Sequence, residues 1–320
     1  MKEKSKISKL LVTYGIELVL VAMIIIASAL EPSFRSFDNF INVIRQVSIT
    51  GMLAIGMTFI IINGNIDLSV SGIVGFAGMV VVMMQAQGFG LILSILAVIV
   101  IGLLIGVLNG YYVSKGLAPF IVTMATDTMI RGLAYIISNG QPVWGVAKGF
   151  DVIGQGFVLG FGSFKGIPIP VIIFGVVAVI AHFTLNHTTY GRTVYSVGGN
   201  PEASRLSGIS IVKSKIFVYC ISGFLAALTA VVLTSRLSSC DPTVGVGFQL
   251  DAIASTVIGG TSMSGGEGKI YKTVIGILII GILSNVLNLM AINPYIQQLA
   301  KGLIIFLAVV WDNSKRQKAV

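Results

Sequence analysis

Residues 46–86 read QVSITGMLAIGMTFIIINGNIDLSVSGIVGFAGMVVVMMQA, two apolar runs broken only by Asn63-Gly64-Asn65 and Asp67. Each run approaches the roughly 20 residues that an α-helix needs to cross the hydrocarbon core of a bilayer. The break is made of residue types that end or cap helices, so the stretch predicts either a tight hairpin of two spans or one broken helix. Outward from it, apolar runs recur at 10–30, 46–63, 66–86, 90–113, 117–138, 167–187, 214–235, 248–264, 273–291 and 295–311. Ten such runs predict an all-α polytopic membrane protein in one transmembrane domain, residues 1–320. Within it, 1–9 form a basic N-terminus, 139–166 an outer loop, 188–213 an inner loop and 312–320 a tail. The 248–264 run is short and carries Gly259, Gly260 and Gly265-Gly266 at its end, a pattern that also suits a re-entrant segment.

The composition agrees. Charged residues make up 10% of 320, against about a quarter in soluble domains, and apolar residues 55% before 38 Gly are added. Soluble enzymes and disordered tails are excluded. The net charge of +9 is resolved by side of the membrane. With ten spans and the N-terminus inside, both termini are cytoplasmic. The inner segments then hold 14 cations: Lys2, Lys4, Lys6, Lys9, Lys115, Arg192, Arg205, Lys213, Lys215, Lys269, Lys272, Lys315, Arg316 and Lys318. The outer loops hold five: Arg35, Arg45, Lys148, Lys165 and Arg236. The excess orients the chain and does not call for nucleic acid. The first segment, with Ala27-Ser28-Ala29 at its far end, resembles a signal peptide, but its apolar run is longer than the 7–15 residues of such a leader, so it reads as an uncleaved anchor.

Little of the usual catalytic equipment is visible. Gly265-Gly266-Glu267-Gly268-Lys269 comes nearest to a phosphate loop, but Ile270 stands where Ser or Thr is required and Met263 where the first Gly belongs. The segment reads as a flexible inner turn, and nucleotide energy has to come from another subunit. His182 and His187 have no Cys or carboxylate at ligand spacing, so no metal site is predicted. Cys220 and Cys240 are too far apart along the chain to pair across one span and its end.

The inner loop Gly191–Ile209 carries a short helix with complete punctuation. Asn200 is a good N-cap, Pro201 suits the first position, Glu202 faces the positive dipole end and Gly208 suits the stop. Two turns are marginal alone in water, so this helix must pack on something, either its own membrane domain or a motor subunit.

This loop, together with Gly64-Asn65-Ile66-Asp67-Leu68-Ser69-Val70-Ser71-Gly72, Arg131-Gly132-Leu133, and Leu250-Asp251-Ala252-Ile253-Ala254 followed by Gly259-Gly260-Thr261-Ser262, resembles the permease subunits of bacterial simple-sugar ABC importers, the ribose permease group. The resemblance is colinear from about residue 38 to 312. It implies a non-catalytic, multi-pass subunit of the bacterial plasma (inner) membrane that binds no cofactor itself. It further implies a second permease copy or paralogue, a cytoplasmic ATPase using ATP and Mg, and an external sugar-binding protein. The ATPase contact would be Asn200, Pro201, Glu202, Ala203, Ser204, Arg205, Leu206 and Ser207, with Ala203 and Leu206 as apolar plugs. The outer stretch 139–166, with Trp144, Lys148 and Asp151, would either receive the binding protein or cover the spans.

Ionisable residues inside spans are expensive and need partners. Asp127 and Arg131 share a helix face and predict a local ion pair, or a place on the translocation path. Asp67 either caps the third span through Ser69 or Val70 N–H or meets sugar, and Asp251 opens the eighth span. Asn109, Asn285 and Asn288 bond between helices or to sugar hydroxyls. Lys301 and Glu17 have no evident partner. A secondary transporter using Asp67, Asp127 and Lys301 for coupling ions is the alternative mechanism, and amino acids or nucleosides are the alternative cargo. Two short internal matches suggest a five-plus-five repeat: Ala54-Ile55 with Thr58 against Ala252-Ile253 with Thr256, and Arg131-Gly132-Leu133 against Lys301-Gly302-Leu303. The first is parallel and the second antiparallel in this topology, so both cannot belong to one simple repeat.

Overall fold

The computed structural model describes residues 2–160 and 166–317. Lys165 and Lys318, and the side chains of Lys2, Lys4, Lys6, Lys9, Lys315 and Arg316, lie outside the described residues. In chain order the elements are α1 (Lys2–Leu30), α2 (Phe37–Ile62), α3 (Val70–Ala86), α4 (Leu91–Ser114), α5 (Pro119–Ser138), β1 (Val143–Trp144), α6 (Asp151–Gln155), β2 (Phe157–Val158), β3 (Ile167–Pro168), α7 (Ile169–His187), α8 (Thr189–Gly199), α9 (Pro201–Leu206), α10 (Ile211–Leu237), β4 (Ser239–Cys240), α11 (Phe248–Ile258), α12 (Ile270–Leu289) and α13 (Pro294–Gln317). Each of the ten apolar runs lies on one of the helices α1–α5, α7 and α10–α13. Among the described residues six of these, α2, α4, α5, α7, α10 and α12, are long and apolar enough to cross a membrane, and Tyr14–Leu30, α3 and α11 are shorter apolar helices.

Boundaries moved where a charge interrupts an apolar run. α2 starts at Phe37, not 46, because Ser36 caps it by accepting from Asn39 N–H and Asp38 occupies its first turn. Arg45 is therefore inside a helix and not in a loop, and Arg236 likewise belongs to the last turn of α10. The stretch 46–86 forms two helices, α2 and α3, on either side of the predicted break. After Asn63 and Gly64 (φ +75°) the chain runs without helical structure to Ser69, where α3 begins, and both α2 and α3 pack on α10.

α10 is the axis of the bundle, contacting α2, α3, α4 and α6. Its closest neighbour is α4, and the reason is a stripe of Gly102, Gly106 and Gly110 at four-residue spacing. A Cβ on Gly106 would strike the Tyr219 carbonyl, and one on Gly110 would lie 2.5 Å from Ile216 Cα. Small residues at this spacing let two backbones touch, which is how helices associate where lipid tails remove the hydrophobic drive. By contrast the outer faces of α4 and α5 expose Leu93, Leu96, Leu104, Phe120, Ile121 and Ile136, as lipid-facing helices do.

The packing pairs are repeated in the two halves. α3 packs on α4, α5 and α10; correspondingly, α11 packs on α12, α13 and α2, while α4 packs on α10 as α12 does on α2. This relates α2–α5 to α10–α13, and α1 and α7 bring each half to five, docking on α12 and α2. In this relation Arg131-Gly132-Leu133 on α5 and Lys301-Gly302-Leu303 on α13 correspond. The match of Ala54 with Ala252 joins α2 to α11, which are not counterparts; these segments instead pack together, with Thr256 Oγ1 donating to the Ala54 carbonyl at 3.1 Å.

At the end of the bundle away from α9, residues 143–160 and 166–168 are pinned to the bundle and to each other. β1 pairs antiparallel with β4, β2 pairs antiparallel with β3, and Gly154 N–H donates to Ser235 Oγ on α10.

Candidate functional site: an intramembrane polar network and an exposed two-turn helix

The non-helical segment 63–69 is the root of a polar network. Asp67 Oδ1 accepts from Ser69 N–H (3.0 Å) and Ser69 Oγ (2.6 Å), and its Oδ2 accepts from Ser222 Oγ on α10 (2.7 Å). The carboxylate, 1% exposed, thus sets the turn that opens α3, as its position before the third span predicts. Tyr219 O–H closes the same turn by donating to the Ile66 carbonyl at 2.8 Å. Asn109 on α4 donates to Ser69 Oγ (2.9 Å) and accepts from Thr126 on α5 (2.7 Å), tying three helices together.

Asp127 has a larger role than the predicted local pair. Its Oδ1 accepts from Gly72 N–H at 2.6 Å and from Ser71 Oγ at 2.7 Å, so a carboxylate on α5 caps the first turn of α3. A negative charge at a helix N-terminus is favourable because the free N–H groups and the macrodipole both point there. The ion pair with Arg131 exists, but at 3.7 Å it is the longer contact. Arg131 reaches past it, donating to Ser71 Oγ (3.1 Å) and to the carbonyls of Pro242 and Val244 before α11 (3.3 and 3.4 Å).

Asn285 forms a reciprocal amide pair with Asn39, at 2.8 and 3.0 Å, joining α12 to α2. Asn288 is exposed and accepts from Gln297 (2.9 Å). Two sequence expectations are corrected at α11 and α13. Lys301 has a partner, Asp251 at 3.0 Å, and Asp251 does not cap its helix: α11 begins at Phe248 after Gly247, leaving the Asp251 carboxylate free to reach α13. The pair is separated by 50 residues in sequence, which no local spacing reveals. Glu17 Oε2 is buried without a hydrogen-bond partner among the described residues.

At the opposite end of α10, α9 has the predicted caps. Asn200 Oδ1 accepts from Ala203 N–H (2.9 Å), and Gly208 takes φ +81° while Ile209 N–H returns to the Ser204 carbonyl (3.0 Å). Ser204 faces inward, whereas Leu206 is 76% exposed and Ala203 is also exposed. Glu202 and Arg205 pair across one turn at 2.7 Å on the surface. The hydrogen bond and charge of Arg205 hold the Glu202 carboxyl below its ordinary value.

A further helix, α8, precedes α9 where no element was predicted. Thr188 caps it by accepting from Gly191 N–H (3.1 Å), and it is fastened to both halves. Tyr195 O–H donates to the Gly268 carbonyl (2.7 Å), Asn63 Nδ2 donates to the Val194 carbonyl (3.5 Å), and a Cβ on Gly198 would strike the Ile62 carbonyl. That same carbonyl accepts from Gly266 N–H (2.8 Å). The Gly265–Gly268 turn is thus not a free flexible loop: it is fixed between Ile62 and α8. The Thr188 N-cap three residues before Gly191 N–H was the one local signal that could have found α8.

Comparison with known proteins agrees with this architecture. The family model described as branched-chain amino acid transport system / permease component matches residues 39–309. The ribose import permease protein of Haemophilus influenzae is 42% identical over 313 residues, covering 96% of this chain and 95% of that protein. That of Bacillus subtilis is 43% identical over 92% of this chain and 90% of that protein. The L-arabinose transport system permease protein of Escherichia coli is 34% identical over 95% and 91%. No solved structure matches. With identity of this order over nearly the full length of both chains, and with a helix under each of the ten predicted apolar runs, the chain belongs to this family of multi-pass membrane permeases, in the group of the ribose import permeases.

Proposed function

We propose that the chain is the translocating membrane subunit of an ATP-driven importer of a simple sugar, and that α9 is the surface through which a separate ATPase drives it. The sugar class rests on the relatives, which are named for ribose and arabinose import at 34–43% identity over nearly all of both chains. A gradient-driven mechanism using Asp67, Asp127 and Lys301 is not favoured, since each of these groups is already committed within the chain. The observation that carries the coupling role is the contrast within α9. Ser204 is buried against the bundle, while Leu206 and Ala203 face outward with nothing among the described residues to cover them. A short helix that is well capped yet presents a bare Leu is built to fit an apolar groove on something else. Because α8 links α9 to Ile62 and to Gly268, a push on α9 would reach both halves of the bundle.

In this reading a second copy or a paralogue completes the path, and an external binding protein delivers the sugar. The translocation path itself is not lined by Asn109, Asp127 or Asp67 as free groups; Asn288, exposed at the end of α12, is the most available of the predicted set. The test is uptake of labelled pentose in vesicles. Leu206→Asp and Arg205→Glu should abolish ATP-dependent uptake and co-purification of the ATPase while leaving the amount of membrane-inserted protein unchanged. Undiminished uptake and association would remove α9 from the mechanism. Uptake that persists without ATP but stops when ion gradients are collapsed would remove the ATP-driven reading altogether.

A further inference from the structure

Two cavities lie in line along one face of α10, starting at the end of the bundle that carries α9. The first, of about 370 Å³, is walled by Lys213, Ser214 and Phe217 of α10, by Ser210 just before it, and by Thr189 and Tyr190 of α8. The second, of about 220 Å³, is walled by Ile221, Phe224 and Leu225 of α10 and by Val177, Ile180 and Ala181 of α7, with Phe59 of α2. The α10 positions recur every three or four residues, as do those of α7, so each set is a single stripe along its helix. α7 and α10 both pack on α2, which makes Phe59 the floor of a groove and the two helices its sides.

The two parts differ in chemistry. No carboxylate lines either cavity, and Lys213, which is exposed, forms no ion pair among the described residues. Ser210 Oγ accepts from Lys213 N–H at 3.4 Å, which leaves its own O–H for another acceptor. Tyr190 and Phe217, with ring centroids 4.2 Å apart, stand where the polar part gives way to the apolar one. Aromatic rings at such a level mark the boundary between lipid and water. Beyond them the groove is apolar, and the exposed side chains of Ile180 and Phe224 edge its open side. From Lys213 to Phe224 is about 16 Å along the helix axis, close to the roughly 15 Å of hydrocarbon in one leaflet.

A cation and hydroxyls at one end, a pair of rings, and then a dry slot one leaflet deep match a phospholipid part by part. The headgroup phosphate answers Lys213, which has no other anion, and the methylenes of an acyl chain fill the slot that the spans leave open to the bilayer. We propose that an anionic phospholipid of the leaflet at the α9 end lies in this groove, with its phosphate on Lys213 and Ser210 and one acyl chain between α7 and α10.

The test uses the full-length protein, delipidated in detergent and titrated with phosphatidylglycerol, phosphatidylcholine or inorganic phosphate, with bound lipid counted by native mass spectrometry and melting followed in parallel. Phosphatidylglycerol should bind about fivefold more tightly than phosphatidylcholine, the effect of one lysine beside an anionic headgroup, and Lys213→Gln should erase that preference. Lys272→Gln makes the same charge change on α12, outside both cavities, and should leave the preference intact. Ile221→Trp fills the apolar slot and should weaken both lipids about fivefold or more while keeping the preference. Melting without lipid shows whether that variant is folded; if it is not, the two lysine variants still decide. Equal loss of preference in Lys213→Gln and Lys272→Gln would overturn the proposal in favour of diffuse attraction, and lipid binding unchanged in Lys213→Gln and in folded Ile221→Trp would overturn it outright. Stabilisation by inorganic phosphate equal to that by phosphatidylglycerol and indifferent to Ile221→Trp would make this a site for a free anion and remove the lipid. Unchanged lipid preference in Lys213→Gln with weakened co-purification of the ATPase would also overturn it, assigning the lysine to a carboxylate of that partner.

Discussion

Replacing Asp127 separates its two roles, because Asn keeps an oxygen acceptor and loses the charge while Ala loses both. The carboxylate makes two short charge-assisted bonds, to Gly72 N–H at 2.6 Å and Ser71 Oγ at 2.7 Å, and one long ion-pair contact to Arg131 at 3.7 Å. Hydrogen bonds to charged groups contribute about 1.5 kcal/mol or somewhat more each, so Asp127→Ala should cost about 3 kcal/mol. Asp127→Asn keeps neutral versions of the two bonds at about half that strength, so it should cost about 1.5 kcal/mol. Arg131→Gln should be destabilising in its own right, since Arg131 also holds the carbonyls of Pro242 and Val244. If the capping role dominates, the cost of Arg131→Gln persists in the Asp127→Ala background, because the bonds to Pro242 and Val244 do not depend on Asp127. Thermal unfolding of the purified variants in detergent, arranged as a double-mutant cycle, reads all four values. The reasoning is refuted if Asn is as damaging as Ala, or if Arg131→Gln becomes harmless once Asp127 is gone. Either result would make the pair a simple ion pair and α3 capped by something else.

Other expectations are more direct. Gly106→Leu should destabilise by about 3 kcal/mol or more, since it overpacks a backbone contact, whereas Gly132→Ala, with open space at its Cβ, should be neutral; melting temperatures of the two compare them. Removing Lys301 alone, as Lys301→Met, should be worse than the double change Lys301→Met/Asp251→Asn, because one partner left behind is an unpaired charge in a partly buried site; yield and melting of the folded protein test the order. The Glu202 carboxyl is held below its ordinary value of 4.5 by Arg205, so its contribution to α9 is complete above that pH and is lost as pH falls through the depressed folded value. On the proposed coupling role, affinity for the ATPase should therefore be flat from neutral pH down to 4.5 and weaken only below it, and Glu202→Gln should remove the acid limb of that profile.

What could be read from the sequence follows the range of the interaction. The ten apolar runs, the Asn200 cap, the Gly208 stop and the Asp67 turn all depend on residues within a few positions of each other, and each is where it was expected. The start of α2 was legible but misread: Ser36 and Asp38 are ordinary N-terminal signals, and the apolar run was given precedence over them. The Gly102, Gly106 and Gly110 stripe was also present in plain spacing. Asp127 with Gly72, Asp251 with Lys301 and Asn39 with Asn285 lie 50 or more residues apart, and only the packing of the two halves brings them together. The predicted local ion pair was therefore right about proximity and wrong about which contact governs the carboxylate.

The satisfied state of these groups bears on how cargo is chosen. A polyol is recognised by free donors and acceptors, and a site built to bond its hydroxyls has to keep those groups unpaired until it arrives. Asp67, Asn109, Asp127 and Asn285 instead bond to one another's helices, so a sugar drawing on them would have to break α3 from its cap or α12 from α2. Breaking such buried bonds leaves unsatisfied partners behind and costs more than one new hydroxyl contact returns. The network is better suited to holding two rigid halves in register while they move than to inspecting what passes between them. Selectivity would then reside upstream, in the external protein that presents the sugar, and exchanging that protein should change the cargo, whereas substituting Asn288, the exposed amide of the set, should alter the rate of passage with little effect on which pentose is accepted.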